Sequence, residues 1–180
     1  NNEALARADM DLGTTSAALL GGGLIVQGGK DGILRLLSEQ TIAGTEPHRA
    51  GELQVVPVRN GGRQRVSTSP LVMHTGAVTW LFVTDTVGTA AFRLRNGKLE
   101  PAWSNTIPGT SPVVAGGLLY AYDPAGSLHV FEPETGREVG SLACGRGHWN
   151  NPIVVDGHII LPEGNANMPG PSVINVWDAQ

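Results

Sequence analysis

Ser111-Pro112-Val113-Val114-Ala115-Gly116-Gly117-Leu118-Leu119-Tyr120-Ala121-Tyr122, continuing as Asp123-Pro124-Ala125-Gly126-Ser127-Leu128-His129-Val130-Phe131, is the stretch on which the fold turns. Two short apolar runs flank a Gly-Gly pair, whose tolerance of positive φ suits a tight hairpin. The turn at Asp123–Gly126 leads to a third run, Ser127–Glu132, and Pro133-Glu134-Thr135-Gly136 leads to a fourth, Glu138–Leu142. Each run is about five residues, the usual strand length. Four antiparallel strands are therefore predicted at Ser111–Ala115, Leu118–Tyr122, Ser127–Glu132 and Glu138–Leu142. The near-continuous apolarity of the first two predicts strands covered on both faces, as when sheet stacks on sheet.

The same order recurs along the chain. Its first strand begins at Ser16, Ser69, Ser111 and Asn151, spacings of 53, 42 and 40 residues. A period of ~40–45 residues with several short strands per unit is the signature of propeller blades. The longer first interval fits an inserted loop at Thr41–Gly51. No window shows sustained helical periodicity except a short turn over Glu3–Met10. The expectation is an all-β propeller of about four antiparallel four-stranded blades, at about 13–60, 66–105, 108–144 and 148–180.

Composition narrows the function. Of 180 residues, 41% are hydrophobic and only 16% charged, with 25 Gly and 12 Pro. Such a balance suits strands joined by tight turns, because Gly and Pro interrupt helices and shape turns. A net charge of −4 with scattered Lys and Arg gives no electrostatic reason to expect nucleic acid. Arg59, Arg63 and Arg65 form the densest basic group and read as a solvated loop. No stretch approaches the ~20 apolar residues of a membrane span. The single Cys144 permits no internal disulfide, which leaves the compartment open. The chain begins Asn1-Asn2-Glu3, without an initiator Met or a signal-peptide pattern, so it reads as a processed or excised piece.

Pro112–Tyr120, Gly126–Phe131 and Thr135-Gly136-Arg137-Glu138 together resemble the repeat of propellers of the pyrroloquinoline-quinone (PQQ) type. The resemblance extends over about residues 13–178. It implies a ring of about eight blades, with these four forming part of it. The family holds quinone-dependent dehydrogenases and BamB-type assembly lipoproteins, so fold is implied more narrowly than activity. It also implies a periplasmic or extracellular setting. In the dehydrogenases each blade carries Ala and Asp two apart, then Thr-Gly-Lys, then a Trp stacking on the next blade. Here the third unit places Val130, Glu132 and Gly140 at the Ala, Asp and Trp positions. The second unit places Pro101 at the Trp position, with Trp103 one strand period further on. These departures predict blades held mainly by ordinary apolar packing. The fourth unit offers strands at Asn151–Val155, His158–Pro162 and Ser172–Trp177, and no residues for a fourth. Remaining blades of a longer polypeptide, or a second copy, are the expected partners.

Candidate chemistry concentrates at the start of the fourth unit. His148, Trp149 and Asn150 lie just before its innermost strand, where propeller ligands bind, with Thr110, Ser111, Asn165 and Asn167 on neighbouring turns. Two readings stand side by side: a polar, aromatic-floored ligand pocket, or Trp149 packed between blades with His148 on a carbonyl. Cys144 and His148 lack the Cys-x-x-Cys-His spacing of haem attachment. Glu163, Asn165 and Asn167 place oxygen-bearing side chains at alternate positions, as a calcium loop does, or form an ordinary Asn/Gly turn. Asp31, Asp85, Asp123 and Glu163 sit in the turns after each second strand, where a carboxylate caps backbone N–H groups. No catalytic set emerges. The expectation is a non-catalytic binding or scaffold module without cofactor; the alternative is a diverged PQQ-dependent dehydrogenase using PQQ and calcium. Tyr120, Val113, Val114, Leu118, Ile153 and Val154 are predicted buried, together with Trp103 and Trp149.

Overall fold

The computed structural model describes residues 2–11, 13–42, 51–59, 65–165, 170 and 172–179. After a short helix α1 (Asn2–Arg7), every element is a strand. The first sheet is β1 (Ala18–Gly21), β2 (Leu24–Gln27), β3 (Ile33–Ser38) and β4 (Glu52–Pro57). The second is β5 (Leu71–Thr75), β6 (Val78–Thr84), β7 (Thr89–Arg95) and β8 (Lys98–Ser104). The third is β9 (Val113–Ala115), β10 (Leu118–Asp123), β11 (Ser127–Phe131) and β12 (Glu138–Ala143). The fourth has three strands, β13 (Ile153–Val155), β14 (His158–Pro162) and β15 (Ile174–Asp178). Strands follow chain order in each sheet and all pair antiparallel.

The sheets behave as blades because their first strands meet: β1 contacts β5, β5 contacts β9, and β9 contacts β13. That common inner edge puts the segment before each first strand and the turn after each second strand at one end. The hairpin at Gly116-Gly117 turns through φ of 57° and 78°. L side chains rarely adopt such values, so glycine is the residue for this turn. The insertion falls between β3 and β4, and its residues 43–50 lie outside those described.

The core is three layers between blades. Val26, Leu34 and Leu36 of the first blade meet Leu81, Phe92 and Leu99 of the second. Phe82 and Ala91 meet Leu119, Ala121 and Phe131; Tyr120, Tyr122 and Leu128 meet Ile159 and Leu161. Alternate residues of β10 thus serve opposite neighbours, which is why that run is apolar throughout.

The predicted burial needs correction away from β10. Tyr120 is buried, whereas Val113, Val114, Leu118 and Val154 are half-buried and Ile153 is 56% exposed. Successive residues of a strand point to opposite faces, so Ile153 shares the face of Val155, Ile174 and Val176, turned away from the third blade. No described residues cover that face. The outer face of the first blade, with Leu19 and Val55 exposed, is likewise open. Both ends of the stack present apolar sheet to solvent.

One β-bulge recurs in the last strand pair of three blades, between Leu36 and Leu37, Ala91 and Phe92, and Val130 and Phe131. It aligns Gln54, Trp103 and Gly140 as one structural position, opposite Leu36, Ala91 and Val130. Trp103, not Pro101, therefore stands where Gly140 stands in the third blade. Its Nε1 donates to the Pro133 carbonyl of the third blade at 2.8 Å. Its ring lies so close to Gly136 that an added Cβ would meet it at 2.5 Å. In the first blade Gln54 does the equivalent work, donating to Leu99 O at 3.0 Å and accepting Leu99 N–H at 2.8 Å. Apolar packing fills the seams, and two of them add a directional tie.

Candidate functional site

At the end of the stack that carries the turns after each second strand, carboxylates cap backbone N–H groups, and one of them is buried. Asp85 is fully buried; its Oδ1 accepts the N–H groups of Val87 and Gly88 at 2.8 Å each. Its Oδ2 accepts Arg59 Nε at 3.2 Å, and Arg59 Nη1 donates to Asn105 O at 2.7 Å. Arg59 is thus an inter-blade tie rather than a solvated charge, because a buried carboxylate requires a counter-charge. Asp123 accepts Ala125 N–H, and Asp31 accepts Ile33 N–H and pairs with Arg35. Arg63 lies outside the described residues.

Repeat register makes Thr15, Thr68, Thr110 and Asn150 one structural position, each preceding the first strand of its blade. The matching position at the end of each second strand is Gly28, Thr84, Tyr122 and Pro162. Thr15 Oγ1 donates to Gly28 O at 3.2 Å, Thr68 Oγ1 to Thr84 O at 2.5 Å, and Asn150 Nδ2 to Pro162 O at 2.8 Å. The third blade differs. There the Thr110 N–H takes the Tyr122 carbonyl at 2.8 Å, and Thr110 Oγ1, in a residue 3% exposed, is buried without a partner.

Thr110 lines a cleft of about 130 Å³ with Thr68, Gly109, Pro124, His148 and Trp149. Its walls are mostly apolar. Trp149 is 59% exposed, which corrects both its predicted burial between blades and the packing reading of that residue. Trp149 has φ 61°, and its indole projects to solvent. That left-handed conformation is unusual for a bulky residue. His148 packs against it, ring centroids 4.6 Å apart and tilted by 59°. Asn150 Oδ1 accepts the His148 N–H at 2.7 Å, so Asn150 clamps this turn from behind and does not line the cleft.

Asn165 is also absent from the cleft wall. Glu163 accepts Gly145 N–H at 2.5 Å and Asn175 Nδ2 on the same Oε1, work that binds β15 to the segment before the fourth blade. Asn167 lies outside the described residues. Among the described residues no three His, Cys, Asp or Glu side chains come together as a metal-ligand group. Beneath the rim, burial pushes the Cys144 thiol up to about 11, with Glu163 adding to it, and the Tyr122 phenol up to about 12. Tyr122 Oη donates to Gly145 O at 2.8 Å.

Sequence reasoning missed Thr68, Gly109 and Pro124 as cleft residues and the Arg59–Asp85 pair. The register of the repeat was the available signal for Thr68, since it matches Thr110.

BamB from Moraxella catarrhalis superposes on this chain with a TM-score of 0.70 at 15% identity, over 92% of this chain and 47% of that one. The fold is a β-propeller. The β-propeller domain of Cps50 (Swd1) from Myceliophthora thermophila matches with a TM-score of 0.65 at 14% identity, over 99% of this chain and 57% of the other. BBS1N, solved in complex with ARL6DN, matches at 0.56 and 16% identity, over 91% and 50%. The chain thus spans about half the length of each of these three propellers. No family model matches the sequence, and no curated protein does.

Proposed function

We propose that this chain is a non-catalytic, PQQ-type propeller segment that acts as a binding or scaffold module, with the rim around Thr110 and Trp149 as its recognition face. One observation carries the reading: an aromatic pair held out to solvent in a strained backbone conformation, beside a buried hydroxyl the fold does not use. Strain of this kind persists where the surroundings enforce it, and it concentrates at functional sites. The PQQ-type assignment is supported by Trp103, which faces Ala91 within its blade and reaches Gly136 and Pro133 of the next. BBS1N, a propeller of the same fold, is seen in a protein complex, which suits a protein partner. The open apolar faces of the first and fourth blades support a larger ring, completed by further blades or a second copy. The resemblance to PQQ-type propellers supports a periplasmic or extracellular setting.

The second reading, a PQQ-dependent dehydrogenase, rests on resemblance. Of the candidate calcium ligands, Glu163 accepts Gly145 N–H and Asn175 Nδ2 on Oε1, and Asn167 lies outside the described residues. Incubation with PQQ and calcium, gel filtration and an absorbance spectrum decide between the two. The expected result is no co-eluting quinone and no dye reduction with alcohols or sugars. Bound quinone with dye reduction overturns the non-catalytic reading.

A further inference from the structure

We propose that the rim cleft receives a carboxylate attached to an aromatic ring, the ring against Trp149 and Pro124 and the carboxylate on Arg65; this rests on the rim being a binding face. The wall decides the sign of the charge. Its carboxylate, Asp85, is fully buried and held by Arg59 at 3.2 Å, so it meets no ligand. Arg65 stands in the same wall with its side chain 48% exposed. A guanidinium carries several N–H donors in a planar fork that matches a carboxylate. Arg65 commits Nη1 to Asp9 Oδ2 at 3.2 Å. Both partners of that pair are largely exposed, and exposed pairs are worth little. Asp9 also has a second cation. Its Oδ1 accepts Lys30 Nζ at 2.8 Å, and that bond is the main cause holding its carboxyl below the usual carboxylate range. Asp9 therefore stays charged and partnered when Arg65 turns to an incoming carboxylate. Ser67 and Thr86 bring hydroxyls to the same wall, donors that a carboxylate accepts.

The rest of the cleft selects the body of the ligand. Its surface is mostly carbon, with Pro124, Gly109 and the Trp149–His148 pair among its walls. Such surface favours a planar ring in tilted or offset contact with the exposed indole. The cleft encloses about 130 Å³. An apolar cavity of ~150 Å³ holds benzene, so the space suits a single ring. A basic ligand meets no exposed carboxylate among the described residues of this wall. The ring and carboxylate belong either to a free aromatic acid or to the C-terminal residue of a partner chain; the chemistry is the same.

The test titrates hydrocinnamate, its amide and N-acetylglycylphenylalanine into the 180-residue chain. The readout is the indole N–H cross-peak of Trp149 in 1H–15N spectra, assigned with Trp149→Phe. At low salt the acid should bind about three- to fivefold more tightly than the amide, the worth of a half-exposed ion pair. That margin should close as salt is raised, because exposed charges are screened. Arg65→Gln should erase it while the amide still binds, and Arg65→Lys should keep most of it. Asp9→Asn suits the φ of 53° at that position. It should raise affinity for the acid and leave that for the amide unchanged. The dipeptide binding at least as well as hydrocinnamate identifies a peptide C-terminus as the source; weaker binding of the dipeptide identifies a free acid. Equal binding of acid and amide, or a preference that survives Arg65→Gln, overturns the proposal and leaves the rim a binding face. A cross-peak unmoved by all three overturns it as well. Quinone capture in the preceding experiment overturns the non-catalytic reading without touching this discrimination.

Discussion

The seam between the second and third blades and the rim between the third and fourth each centre on a tryptophan beside a tight turn. At the seam, Trp103 is locked by a hydrogen bond to Pro133 O and by contact with Gly136, and its ring packs among Phe82 and Phe131. At the rim, Trp149 projects to solvent at positive φ with His148 as its neighbour. Thr68 and Thr110 repeat the contrast, one hydroxyl spent on the fold and one left over. The difference teaches that in a repeat protein the same sequence position can be consumed by folding in one blade and released in another. Function is then sought where the repeat's own bond is missing.

The contrast breaks first at the seams between blades, the Arg59–Asp85 tie of the first and second included. Asp85→Ala leaves Arg59 as an uncompensated buried charge. Its expected cost is about 3–5 kcal/mol, as for other broken buried pairs. Trp103→Ala removes a large inter-blade side chain and its bond. A similar loss of ~3–5 kcal/mol is expected of such a large-to-small change. Urea unfolding measures both; losses below about 1 kcal/mol, within ordinary surface and minor effects, contradict the seam assignment. The end faces give the next effect. With Leu19 and Val55 exposed on one and Ile153, Val155, Ile174 and Val176 on the other, the chain should self-associate. Light scattering after size exclusion should report a mass above the monomer; a monodisperse monomer with a sharp melt counts against a larger ring.

Alkaline pH sharpens the account of the layer beneath the rim. Folding raises Cys144 from 9.0 to about 11 and Tyr122 from 10.0 to about 12, so the fold favours their neutral forms. The stability this contributes is whole below about pH 9 and is lost as pH rises through about 11 to 12. Urea midpoints should fall across that window; a flat profile argues that neither group ionises at a cost to the fold. Trp149→Ala is the smallest expected change, because the side chain it removes lies mostly in solvent. Exposed substitutions of this kind stay within about 0.5 kcal/mol. A loss of several kcal/mol restores the packing reading of Trp149.

The blade repeat was readable because Gly turns and apolar runs are local features: the third blade's strands fall within two residues of their predicted ends. What escaped depends on geometry between distant segments. Arg59 and Asp85 are 26 residues apart and meet only when two blades close on each other. Trp103 reads as misplaced because the last hairpin of the second blade is longer: its ladder runs on from Phe92–Pro101 to Arg95–Lys98, whereas that of the third blade stops at Phe131–Glu138. Trp149 reads as a packing residue because neither its positive φ nor its exposure is marked in the sequence. Thr110 could be named as a candidate, yet its importance lies in which of its two donors takes the Tyr122 carbonyl.

Paired substitutions at the two matched threonines address that point. Thr68→Val strands the Thr84 carbonyl. Stability should fall by about 1–3 kcal/mol, the cost of an unsatisfied buried group. Thr110→Val removes a hydroxyl that bonds to nothing in the fold. Urea unfolding should show that variant unchanged or slightly more stable, within about 0.5 kcal/mol of the parent. Equal losses in the two variants would mean that Thr110 serves the fold as Thr68 does, and the rim would lose its claim to be a binding site.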